Sequence, residues 1–230
     1  MCKMYLTNTS KIHTEFNKKL CQNLKFREIM KLITISGLDG SGKTTQLDLI
    51  EKKLSKNYKT ERLHMIDFSI ANKILKKQEK EKNLVKSKAK TSAGFGGVFL
   101  RKIALIVDVF RFRIHYRIKT FENKINFLII DRYFYDQIIN IKYLDKHTNP
   151  DRKPFWQIIV ENQMIVPDLK IYLQIEPKII LKRNPKLEQG RVYLIKKYFL
   201  FEVLSRRWHL SKVNGRINKE KIYQTIISLI

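Results

Sequence analysis

The chain has 230 residues, 43% of them apolar, which suits one α/β domain with a sizeable core and excludes a disordered chain. Its formal charge of +26 favours anionic partners (nucleotides, nucleic acid or an acidic membrane surface), although lysines scattered along the whole chain also describe a plain solvated surface. Two cysteines, Cys2 and Cys21, make no disulfide framework and fit a reducing, cytoplasmic setting, and no apolar stretch reaches the ~18 residues of a membrane span.

Residues 1–29 are polar and basic, with a weak helical pattern over 13–29. Three readings compete for them: an over-long start, a transit peptide, or a tail that binds a partner. A transit peptide is rich in Arg and Ser, and this stretch has one of each. The first strand follows Met30. It runs to Ser36 and opens on Gly37-Leu38-Asp39-Gly40-Ser41-Gly42-Lys43-Thr44-Thr45, a G-x-x-x-x-G-K-T loop between strand and helix. The glycines let the backbone turn so that its N–H groups converge on phosphate oxygens, and the next helix adds the positive end of its dipole. Lys43 is placed to reach the β- and γ-phosphates of ATP, and the Thr44 hydroxyl to ligate Mg²⁺.

The pattern predicts a first helix over Thr44–Leu54 and a second strand over Leu63–Phe68. Residues 73–90 are a solvated segment in which eight lysines meet two glutamates, and Ser92–Gly97 reads as a break. Val98 to about Phe121 is a long helix, apolar around most of its circumference and so expected to be buried. The continuous apolar run Ile125–Ile130 suits a parallel strand buried on both faces, ending at Asp131. A helix follows over Phe134–Leu144, and a short one ends near Gln163. A strand over Leu169–Ile175 comes next, with a helix starting at Pro177. A loop spans 184–190, and a helix runs from Arg191 to about His209. A short strand near His209–Val213 and a helix over Lys219–Ile230 close the chain. This alternation predicts a parallel sheet with helices on both faces.

Leu128-Ile129-Ile130-Asp131-Arg132-Tyr133 is the second motif. An acid at the carboxyl end of a buried strand sits beside the phosphate loop in this topology, where Asp131 can hold a water of the Mg²⁺ shell. Arg132 is placed to bridge donor and acceptor phosphates, since phosphoryl transfer asks mainly for positioning and charge neutralisation. The loop, the Asp-Arg-Tyr triplet and the weaker strand Pro167–Leu173 together resemble the thymidylate kinase family. The resemblance covers residues 30–230 in layout. It implies the three-layer P-loop kinase fold with a five-stranded parallel sheet, and transfer of the ATP γ-phosphate to dTMP with Mg²⁺. It implies that Asp39 faces the acceptor's sugar and that Arg111, 20 residues before Asp131, contacts its base and phosphate, with Arg113 and Arg117 as competitors. Tyr133 and Asp136 belong to the same acceptor side. A lid is implied around 182–191, from which Arg183 or Arg191 supplies the arginine that the loop lacks. Family members are commonly homodimers.

The sequence also departs from the family. Asp67-Phe68-Ser69-Ile70 stands where an acidic-Pro-Gly or Phe-Pro element is usual, so Phe68 either stacks on a base or fills core. Beyond Tyr133 the usual Tyr-Gln pair is missing. Rival readings are a kinase of another nucleoside or monophosphate, and a basic protein that binds nucleic acid or membrane under nucleotide control. The absence of Asn-Lys-x-Asp argues against a GTPase.

Overall fold

A computed structural model describes residues 30–70, 95–122, 124–145, 149, 151–185 and 190–230. The expectations for 1–29, for 73–90 and for the middle of the lid lie outside them. The described elements, in order, are β1 (Lys31–Ser36), α1 (Lys43–Leu54), β2 (Thr60–His64), α2 (Met65–Phe68), α3 (Phe95–Glu122), β3 (Phe127–Asp131), α4 (Phe134–Leu144), α5 (Phe155–Gln163), β4 (Leu169–Gln174), α6 (Pro177–Arg183), α7 (Gly190–Arg207), β5 (Ser211–Asn214) and α8 (Lys219–Ile227). The five strands form one sheet in the order β2-β3-β1-β4-β5, every pairing parallel.

Strand alternation sorts the apolar residues into two cores. Leu32, Leu128, Ile130 and Tyr172 face one layer with α3, α4, α5 and α7. Ile33, Ile35, Phe127, Ile129, Ile171 and Leu173 face the other with α1 and α8. Each central strand is therefore apolar at nearly every position, because both of its faces are buried. The three-layer α/β arrangement expected from the sequence is the one observed. Asp168, just before β4, accepts the Leu32 amide at 2.7 Å and ties the start of β4 to the start of β1.

Three local expectations are corrected. The second strand is Thr60–His64, and Met65–Phe68 turns into a helix. The ladder with β3 ends where His64 meets Asp131, and the His64 imidazole Nδ1 accepts the Ile66 amide, capping the turn. Gly96 and Gly97 lie inside α3 rather than in a break, the packing of a long helix outweighing the cost of glycine in its first turn. And α3 is not buried all round. Leu105, Val109 and Phe112 are in the core, but Phe99, Ile103, Val107, Phe110, Ile114, Ile118 and Phe121 are exposed. These seven recur every three or four residues and form one apolar stripe along the helix. Among the described residues, no helix is long and apolar enough to cross a membrane.

Candidate active site

The loop is built at the carboxyl end of β1, between β3 and β4. Gly37 has φ 152°, and a Cβ there would come within 2.8 Å of the Leu173 carbonyl oxygen on β4, so only glycine fits. Gly42 has φ 93° and starts α1 without a side-chain cap, and no acid sits in the first turn. The helix N-terminus is thus left open for an anion. Lys43 is buried and folds back over the loop, donating from Nζ to the carbonyls of Gly37 at 2.9 Å and Leu38 at 2.7 Å. Burial pushes its ammonium below the usual lysine range, against the pull of Asp136, Asp39 and Asp131.

Asp131 stands in register with Ile35 of β1 and His64 of β2, so the sheet itself brings it to the loop. The Thr44 hydroxyl donates to its Oδ2 at 3.2 Å. Arg62 and His64 each place a nitrogen 3.7 Å from the same oxygen. Its other oxygen, Oδ1, is buried without a hydrogen-bond partner. A buried carboxylate oxygen left open beside a hydroxyl suits a hard cation, which takes oxygen ligands. No group of three or more His, Cys, Asp or Glu side chains among the described residues forms a metal cage. A Mg²⁺ ion here would rest on Thr44, Asp131, water and phosphate.

Arg132 follows Asp131 with φ 62°, a left-handed conformation that is uncommon for a non-glycine residue. Its Nη1 lies 2.7 Å from Asp39 Oδ1. The second oxygen of Asp39 accepts the Tyr193 hydroxyl at 2.7 Å. Burial would raise the Asp39 carboxyl, but Lys197, Arg132 and Lys43 outweigh it and hold the group well below the carboxylate range.

No family model matches the chain, and no curated protein does. Among solved structures, the thymidylate kinase of Ehrlichia chaffeensis superposes with a TM-score of 0.58 at 13% identity, over 87% of this chain and 97% of that one. The thymidylate kinase of Candida albicans superposes with a TM-score of 0.59 at 17% identity, over 87% and 91%.

The chain has the thymidylate kinase fold.

Within this thymidylate kinase fold, the predicted residues divide into three groups. Asp39, Lys43, Thr44, Asp131 and Arg132 converge as the motifs suggested, and Gly37, Gly40, Ser41, Gly42 and Thr45 frame the loop they surround. Asp136 is also at the loop, but beneath it. Its carboxylate accepts the Ser36 hydroxyl at 2.6 Å and the Gly37 amide at 3.3 Å, and burial raises its carboxyl despite the nearby Lys43. This geometry gives it the work of holding the loop, where the resemblance placed it on the acceptor side. Tyr133 needs a plainer correction. Its ring is fully buried among Phe112, Phe134 and Tyr135, and its hydroxyl donates to the Ile165 carbonyl. The left-handed turn at Arg132 swings the next side chain into the core.

Phe68 and Arg111 form a unit of their own. The guanidinium lies 4.7 Å over the Phe68 ring, donates to the Phe68 carbonyl at 3.1 Å and pairs with buried Asp108 at 2.9 Å. Asp108 in turn accepts the Ile70 amide at 3.0 Å. One face of Phe68 is thus covered by Arg111 while its edge meets Phe112. Arg183 and Arg191 are both exposed, and Arg183 donates to the Gly215 carbonyl at 3.3 Å. Two residues of the site were missed from sequence, Tyr193 and Lys197, both on α7. A signal was present. Tyr193, Lys197, Leu200 and Leu204 share one helical face, and a lysine in an apolar row is a buried charge in search of a partner.

Proposed function

We propose that the protein is an ATP-dependent phosphotransferase that phosphorylates a nucleoside monophosphate, dTMP first among them. The observation that carries this reading is the convergence, at the carboxyl ends of β1 and β3, of Lys43 bonded to the loop carbonyls, Thr44 bonded to Asp131 and Arg132 paired with Asp39. A loop with an open helix N-terminus takes the donor phosphates. Lys43 stands ready to leave the loop carbonyls for phosphate oxygens. Arg132, drawn to the loop by Asp39, is assigned to the phosphoryl group as it passes from donor to acceptor. Mg²⁺, when bound, neutralises the β- and γ-phosphate charge. Asp39, Phe68 and Arg111 are assigned to the acceptor, and one of Arg183 and Arg191 to the closing lid.

The deciding measurement is ADP release with Mg²⁺ and ATP over a panel of dTMP, dUMP, UMP, CMP and GMP, with thymidine included for the nucleoside alternative. The panel must be broad, because the Candida albicans relative of this fold is known for broad substrate specificity. The expected result is turnover highest with dTMP and abolished by EDTA. Release no greater than ATP hydrolysis alone with every acceptor removes the proposal and leaves the basic nucleic-acid- or membrane-binding reading.

We also propose that the working form is a homodimer joined through the apolar stripe of α3. Seven apolar side chains on one helix face are more than a solvated surface explains. Ile114→Glu at its centre is expected to convert the dimer to monomer in sedimentation equilibrium, with the stability of the monomer itself changed by no more than about 0.5 kcal/mol as for other surface positions. A wild-type protein that sediments as a monomer at every concentration overturns this.

A further inference from the structure

Lys197 is a buried cation beside the loop that the proposed reaction does not use. It is 7% exposed, on the loop-facing side of α7. Its Nζ donates to the Tyr193 hydroxyl at 2.6 Å, lies over the Tyr193 ring at 4.6 Å from the centroid, and stands 4.0 Å from Asp39 Oδ2. Tyr193 spends its own proton on that same oxygen. The hydroxyl thus accepts from the lysine and donates to the carboxylate, which leaves it one orientation. Arg132 holds the other carboxylate oxygen. Asp39 is fixed at both oxygens, and each keeps a further lone-pair direction for an incoming donor.

We propose that Lys197 is a positioning residue for the acceptor: it locks the Tyr193 hydroxyl onto Asp39, and so presents a preset carboxylate to a sugar hydroxyl of the nucleoside monophosphate. This rests on the phosphotransferase reading given above. The physical reason is preorganisation. A carboxylate already oriented by groups behind it does not have to be ordered when the ligand arrives. The cost is a buried charge. Burial pushes the Lys197 ammonium down to about 8, against the pull of Asp39 and Asp136 and with the repulsion of Arg132 and Lys43. Tyr143 of α4 packs edge-on against Tyr193 and completes the surroundings. A lysine whose pKa is lower folded than unfolded opposes folding below pH 8, and that opposition fades as pH rises from 8 toward the unfolded value. A residue kept for stability would have the opposite sign.

The test uses the full chain and steady-state kinetics with ATP and dTMP, or whichever monophosphate of the panel turns over fastest. Lys197→Met keeps the length and removes the charge. The KM for the acceptor is expected to rise about tenfold or more, the scale of a lost hydrogen bond to a charged group, while the KM for ATP stays within twofold. Tyr193→Phe should do the same, and Lys197→Arg should recover part of the loss. The wild-type acceptor KM should climb above about pH 8 as Lys197 loses its proton, whereas Lys197→Met should be flat there. The melting temperature of Lys197→Met at pH 7 should equal or exceed that of wild type. An acceptor KM within twofold of wild type in Lys197→Met overturns the assignment, whatever the melting temperature, as does an equal rise in the KM for ATP. Turnover of no monophosphate by the wild type removes the reading it rests on and this inference together, which is a distinct outcome.

Discussion

Arg132→Ala is expected to lower kcat by about 10²–10³, or about 3–4 kcal/mol, with smaller changes in either KM. An arginine that spans donor and acceptor phosphates matters most when negative charge is shared between them, and an interaction made only then is lost from kcat. The resting geometry supports this. The Arg132 guanidinium is a third exposed and engages Asp39 through Nη1, so its other N–H groups can reach phosphate while Asp39 stays held. Arg132→Lys should rescue little, because lysine lacks the planar fork that spans two groups. The alternative is a structural arginine whose work is to neutralise Asp39. In that case Arg132→Ala would lower the melting temperature while kcat of the folded fraction stayed near wild type. The backbone offers a sharper control. With φ at 62°, Arg132 carries strain of order 1–3 kcal/mol that glycine would relieve. Arg132→Gly should therefore be at least as stable as Arg132→Ala and just as slow. A near-normal kcat in either variant sinks the assignment.

Phe112→Ala is expected to cost about 3–5 kcal/mol of stability, read as a lower urea midpoint with an unchanged slope. Phe112 is fully buried on the inner side of α3 and makes ring contacts with Phe68, Tyr116, Tyr133 and Phe134 at 5.5–6.2 Å. Removing it opens a cavity that four rings, anchored on three separate stretches of chain, cannot all move to fill. For a domain of this size the loss should lower the melting temperature by at least about 6 °C. Because Phe68 leans on Phe112 and carries Arg111 on its face, the acceptor KM should rise as well. A cost under about 1 kcal/mol would show that this layer collapses freely, and that the helix is held from elsewhere. Ile114, two residues further on, points outward, and its substitution tests association instead.

The contrast between Phe112 and Ile114 marks where reading along the chain stops. Glycine spacing, strand-length apolar runs and the acid that ends one of them are local signals, and they placed the loop, the parallel sheet and Asp131 without help. Lys43, Thr44, Asp131 and Arg132 meet because a parallel strand pairing puts Asp131 beside Ile35, a consequence of topology that the alternation of elements already implied. An apolar residue, however, does not announce which neighbour will cover it. The long helix read as buried all round because both of its faces are apolar, and only the packed layers decided that one face meets α4 and α5 while the other stays open. Tyr133 and Asp136 were assigned to the acceptor by the resemblance, but the left-handed residue at Arg132 turns Tyr133 into the core, and Asp136, in the first turn of α4, bonds Ser36 and Gly37. Tyr193 and Lys197 lie more than 150 residues from Asp39, so their helical row marks them as buried but no local rule names Asp39 as their partner. The sequence by itself determined the glycine-rich loop and the fold that carries it. The tertiary structure decided which side chains stand behind the binding groups, since that depends on which distant surfaces exclude water together.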